Sequence, residues 1–242
     1  MSLLTLWATV GEAVWGYISH KRFMAAYSVD KRQARLAIYR RWTTSLVLLG
    51  LSVAGSFVLL PGLRLELLGL RPAYPVSRID PALLGIIGGA GFGIVVGTVV
   101  LLVARRRSAN ALTYIPGGKQ LEPMLPQCRD ERSRYVLLSL AAAIVEELVW
   151  RGMIVFVITY IFPRSELLTV ACVSGAIFGV VHLYQGALGV LVTGLIGFAL
   201  CAVYVYSGSL LIPVLLHFAM DVRGILLSPK TGSAVPVTGR QH

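Results

Sequence analysis

Ala141-Ala-Ala-Ile-Val-Glu146-Glu147-Leu-Val-Trp150-Arg151-Gly-Met-Ile-Val-Phe-Val-Ile-Thr-Tyr-Ile161 is long and apolar enough to cross a bilayer, yet it holds two adjacent carboxylates and a guanidinium. Each ionised group near a bilayer centre costs roughly 2.5–3.5 kcal/mol on the insertion scale. A span that keeps three of them is read first as a functional site. The surrounding chain supports a membrane setting. It is 56% hydrophobic and 14% charged, whereas soluble domains carry about 25% charge. Segments of roughly 20 apolar residues recur, the length of a helical span. The alternating ten-residue strands of a membrane barrel do not dominate. The expected fold is therefore all-α, a polytopic membrane helical bundle.

Working outward, Trp42 to Leu60 and Pro81 to Ala104 read as spans, the first stopped by Pro61-Gly62 and the second by Arg105 to Arg107. Tyr135 to Phe162, Leu167 to Leu183, Ala187 to Tyr206 and Leu210 to Leu227 follow with short connections, as antiparallel neighbours require. Leu3 to Ile18 is apolar but short and interrupted by Glu12; it is either a marginal span or a surface helix. Six or seven spans result. Residues 1–134 form N-terminal helices with basic connectors, 135–227 a helical core, and 228–242 a polar tail expected to be disordered. The second span carries Gly85, Gly89, Gly93 and Gly97, a spacing that predicts close helix packing.

The net charge of +11 does not point to nucleic acid. Lys21, Arg22, Lys31, Arg32, Arg35, Arg40 and Arg41 form one cluster, and Arg105 to Arg107, Lys119, Arg129, Arg132 and Arg134 another. Both flank apolar spans, where the positive-inside rule places them on the cytoplasmic side. The expected partners are membrane lipid and a membrane-associated peptide or protein, and the expected location is the cell membrane. Cys128, Cys172 and Cys201 lack metal-knuckle spacing and read as small buried residues, the last two within spans. No basic residue precedes the first apolar run, so no cleavable signal peptide is expected.

The polar residues of the late spans repeat at helical spacing. Glu147 and Arg151 are four apart and share a face, which makes them a positioning ion pair. Glu146 lies about 100° around the helix from Glu147 and is left free. Phe178 and His182 are four apart, as are His217 and Asp221. A carboxylate with a neutral imidazole can deprotonate water, and an oxyanion needs donors, for which His217 is the candidate. No serine or cysteine shares this pattern; Ser174 is eight residues from His182. Zinc held by Glu146, His182 and His217 is the alternative, and these residues by themselves do not separate a metal-activated from a carboxylate-activated water. A proton relay and a non-catalytic scaffold are the competing classes; no inverted repeat supports the first.

The ordered set Glu146-Glu147-x-x-x-Arg151, Phe178-x-x-x-His182 and His217-x-x-x-Asp221 resembles the CAAX protease and bacteriocin-processing family of intramembrane endopeptidases, the type II CAAX prenyl endopeptidase-like or Abi family. His182-Leu-Tyr-Gln-Gly and Gly208-Ser-Leu-Leu-Ile-Pro agree with its bacterial members, and Leu68-Gly-Leu-Arg-Pro72 adds to the likeness. The resemblance implies Glu146 as general base, His182 as its partner on water, Glu147 and Arg151 as positioning residues, and His217 with Asp221 at the oxyanion. Position 221 is often asparagine in the family; an ionised Asp221 only accepts hydrogen bonds, so its expected task is to orient His217. No cofactor is expected, with zinc as the alternative.

Overall fold

The computed structural model describes residues 2–71, 81–108 and 117–228. Among these residues the chain is helical, with no strand. Helix α1 (Glu12–Tyr27) continues from a short helix, Ser2–Leu6, through a π-helical turn, Trp7–Gly11. The segment left open between span and surface helix is thus longer than its apolar run. Asp30 then caps α2 (Lys31–Leu59), its carboxylate accepting from the Gln33 backbone N–H at 2.9 Å, as an N-cap aspartate does. Pro61 follows just beyond the end of α2, where proline cannot continue a helix.

Helix α3 spans Pro81–Arg107. After the turns Gly118–Leu121 and Glu122–Met124 comes α4 (Arg129–Glu147). A π-helical turn, Leu148–Met153, joins α4 to α5 (Ile154–Ile161). The expected single span Tyr135 to Phe162 is therefore a longer rod whose register is interrupted just after the two carboxylates. Such π insertions place one extra residue in a turn and are frequent at functional sites. Helices α6 (Leu167–Val181), α7 (Gly186–Ser207) and α8 (Leu211–Val222) complete the bundle. Glycines at φ +79° and +66°, Gly186 and Gly208, make the turns before and after α7, conformations that side chains rarely adopt. Beyond Ser228 the expected disordered tail lies outside the described residues, as do parts of the loop Gly62 to Asp80 and of the connector Arg105 to Arg134.

Among the described residues, α2 and the stretch Leu183–Ser207 are long and apolar enough to cross a membrane. Large apolar side chains cover the outside of the bundle; Leu59 is 81%, Phe92 71% and Leu188 65% exposed. Apolar surface on this scale marks contact with lipid or protein.

Helices α6 and α7 pack most intimately, α2 lies along α4, and α8 closes over α4. The close approach of α6 and α7 rests on glycine, though not on the glycines expected. A Cβ added at Gly179 would sit 2.5 Å from the Val190 carbonyl oxygen, and one at Gly175 would sit 2.8 Å from that of Gly194. Among the described residues, a Cβ added at Gly85, Gly89, Gly93 or Gly97 would meet nothing within 4 Å. The spacing that predicted packing for α3 marks a bare face there, because small residues permit close approach without supplying a partner. Gly179→Ala is expected to destabilise the protein by about 1–3 kcal/mol, the cost of overpacking against backbone that cannot yield; thermal unfolding in detergent measures it.

One other expectation is corrected. Cys172 is exposed on α6, whereas Cys201 is buried; a thiol in an apolar helix faces either way because the outer face is apolar too. Arg35 belongs to the first basic cluster. It is buried against Glu131, with Nε to Oε2 at 2.9 Å and Nη2 to Oε1 at 3.0 Å. This fork clamps α2 to the first turn of α4, and Glu131 Oε2 also accepts from the Gln127 backbone N–H.

Candidate active site

The late helices bring the polar residues into one constellation. Arg151 in the π turn donates from Nη1 to Glu147 Oε1 at 3.0 Å and from Nη2 to the Gly197 carbonyl at 3.3 Å. Its guanidinium carbon lies 4.3 Å from the centre of the Phe178 ring. Glu147 and Arg151 are fully buried, which suits a positioning pair. The pair is not closed, however. Glu147 Oε1 also lies 2.8 Å from His217 Nδ1. The expected two-residue pair is a triad, Arg151–Glu147–His217, linking the π turn to α8. Nothing in the i, i+4 spacing of either helix could signal this contact, which spans 70 residues.

These bonds fix ring tautomers. The Phe178 carbonyl only accepts, so His182 Nδ1, 2.8 Å away, carries a hydrogen and donates it. His182 Nε2 then presents a lone pair in the neutral ring, and it faces Glu146 Oε2 at 3.8 Å. His217 Nδ1 likewise donates to Glu147, which leaves its Nε2 turned to Glu146 Oε2 at 3.9 Å and Asp221 Oδ2 at 3.7 Å. Asp221 therefore does not orient His217 by a hydrogen bond, the task expected of it. Glu147 holds that position, because it reaches the Nδ1 side of the ring whereas Asp221, one turn along α8, meets the Nε2 side. Asp221 is tied to α4 through its backbone carbonyl, which accepts from the Tyr135 hydroxyl at 3.2 Å.

Glu147 is tied through Oε1 to Arg151 and His217. Glu146 is the carboxylate between the two imidazoles, and its buried Oε2 has no hydrogen-bond partner among the described residues. It borders a cavity of about 290 Å³ that also reaches His182, His217 and Asp221. Leu101, Leu138, Ile196 and Leu227 contribute apolar wall, and Arg223 a cation. Phe178 sits at the centre of the constellation, its ring 5.4 Å from Trp150 and 4.5 Å from His182. Phe178, expected as a structural and positioning residue, also presents the carbonyl that sets the His182 tautomer. Sequence reading did not assign Tyr184 to the site; its ring lies 5.8 Å from His182 and 5.2 Å from Trp42, and its place two residues after His182 was the available signal. Ser174 donates to the Trp150 carbonyl at 3.1 Å and so serves packing between α6 and the π turn.

Residues 131–223, which include every member of this constellation, match the family model described as type II CAAX prenyl endopeptidase Rce1-like. Over these residues, less than half of the chain, the protein is similar to the CAAX protease family. No curated protein and no solved structure matches the chain. The Rce1-like match implies a peptidase acting on a peptide or protein substrate, with CAAX-type endopeptidase activity.

Proposed function

We propose that the protein is a multi-pass intramembrane endopeptidase in which Glu146 is the general base. The observation that carries this reading is the buried, unpartnered Glu146 Oε2 facing two imidazole Nε2 atoms across a cavity large enough for a peptide segment. Water held between Glu146 and the His182 Nε2 lone pair gives a proton to Glu146, and its oxygen attacks the scissile carbonyl carbon. The carbonyl π electrons move to oxygen, forming a tetrahedral oxyanion. Glu146 returns the proton to the leaving nitrogen as the C–N bond breaks. His217 offers a donor to the oxyanion only as an imidazolium, since its single neutral-state hydrogen is committed to Glu147. Glu147 then serves as its counter-ion, and Arg151 holds Glu147 in place. Ionised Asp221 supports that cation from the Nε2 side.

The same geometry defines the alternative. With His217 neutral, two Nε2 lone pairs and the Glu146 carboxylate converge, a donor set acceptable to zinc. The carboxylate-activated water is preferred because a carboxylate base and two imidazoles suffice for the reaction. A non-catalytic scaffold of the same fold would have no use for an unpaired buried Glu146.

The test uses the full chain in lipid nanodiscs with two quenched fluorogenic peptides of one sequence ending in Cys-aliphatic-aliphatic-X, one farnesylated and one not. Cleavage of either is expected and should persist after exhaustive chelation with 1,10-phenanthroline. Loss of turnover that zinc restores would replace the metal-free reading. Preference for the farnesylated peptide would assign CAAX-type prenyl-protein processing, and equal turnover a broader membrane peptidase.

A further inference from the structure

A second, smaller cavity of about 60 Å³ lies against Glu146 and His182. Helix α1 walls it with Glu12, Trp15 and Gly16, and α2 with Trp42 and Ser45. Three of the lining residues carry a buried polar atom with no hydrogen-bond partner among the described residues: Trp15 Nε1, Trp150 Nε1 and Glu146 Oε2. Buried N–H groups and carboxylate oxygens are rarely left unpaired in a native structure, and bound water is the usual remedy. A cavity of this size takes several waters, since one needs roughly 10–15 Å³ for its centre. The two indole N–H groups donate only, so they hold a water by its oxygen and leave its hydrogens for a carboxylate.

Glu146 borders both cavities. A peptide seated in the large one displaces the water there, and the attacking molecule must then reach the carboxylate from another side. We infer that the small cavity behind the N-terminal helix is a water store that supplies Glu146, with Trp15 and Trp150 as positioning residues and Glu12 as a second carboxylate acceptor in its wall. The inference rests on Glu146 being the base. It gives the N-terminal segment, outside the family match, a part in the reaction: substrate enters on one side of Glu146 and water on the other.

Gly16 provides the means of filling the store. A Cβ there would have ordinary contacts, 3.7 Å from Tyr184 Cδ1 and from the Val181 carbonyl oxygen, so a longer side chain projects into the space. Synchrotron hydroxyl-radical footprinting of the full chain in nanodiscs reads bound water without reading catalysis. Trp150, 2% exposed, should be oxidised in the parent protein and severalfold less in Gly16→Leu. On whichever of the two fluorogenic peptides is cleaved, Gly16→Leu should lower kcat about tenfold or more with KM little changed, as loss of a positioned reactant does. Trp15→Phe removes the N–H while keeping the ring, and should lower kcat in the same direction if Gly16→Leu fails to fold. Absence of Trp150 oxidation in the parent overturns the store. Oxidation together with parental kcat in Gly16→Leu, or in Trp15→Phe where Gly16→Leu does not fold, overturns its link to hydrolysis. Failure of the base assignment is seen separately, as Glu146→Gln that still cleaves while labelling is unchanged.

Discussion

Glu146→Gln is expected to reduce peptide cleavage by about 10²–10⁴-fold, the contribution of a positioned general base. The substitution keeps the shape of the side chain and removes the group that takes the proton from water. Stability should be little affected, because Glu146 Oε2 makes no hydrogen bond among the described residues and a neutral amide is cheaper to bury than a carboxylate. Turnover of the fluorogenic peptides and Tm, measured on the same nanodisc preparation, separate the two effects. A parental rate in this variant would remove Glu146 from the role of base. A large fall in Tm would show that it has a structural partner.

Arg151→Met should destabilise the protein by about 3–5 kcal/mol, the cost of leaving one partner of a buried ion pair uncompensated. Arg151 and Glu147 are both fully buried. Removing the guanidinium strands Glu147 beside His217, and it also removes the bond to the Gly197 carbonyl and the cation over Phe178. The double variant Arg151→Met with Glu147→Gln should regain part of that stability, because no buried charge is then unpaired. It should not regain activity. With an amide in place of that carboxylate, His217 loses the counter-ion on its Nδ1 side, which disfavours the imidazolium needed to donate to the oxyanion. Urea or thermal unfolding of the single and double variants, set beside peptide turnover, distinguishes a pair that only stabilises from one that orients His217.

The helical class and the candidate site were legible in the chain. Apolar segments of span length showed the helices; costly polar residues within them marked Glu146, Glu147, Arg151, His182, His217 and Asp221, with Phe178 joined to His182 by i, i+4 spacing. These signals are local: one helix turn sets the spacing, and one desolvation cost sets the contrast with the surroundings. What spacing could not show is which group on one helix meets which on another. The Arg35–Glu131 fork, for example, joins two residues that each look like part of a solvated charge cluster.

The run Glu146 to Arg151 by itself determined that something other than packing happens within an apolar helix, because three ionisable groups there need partners or a task. Tertiary structure decided how the work is divided. It turned Glu147 to His217 as well as to Arg151, set Asp221 on the Nε2 side of that ring, and left Glu146 between two imidazoles and two cavities. The reason is geometric: spacing along a helix fixes the face a side chain shares, and only the packing of α4, α6 and α8 fixes which atoms converge on it.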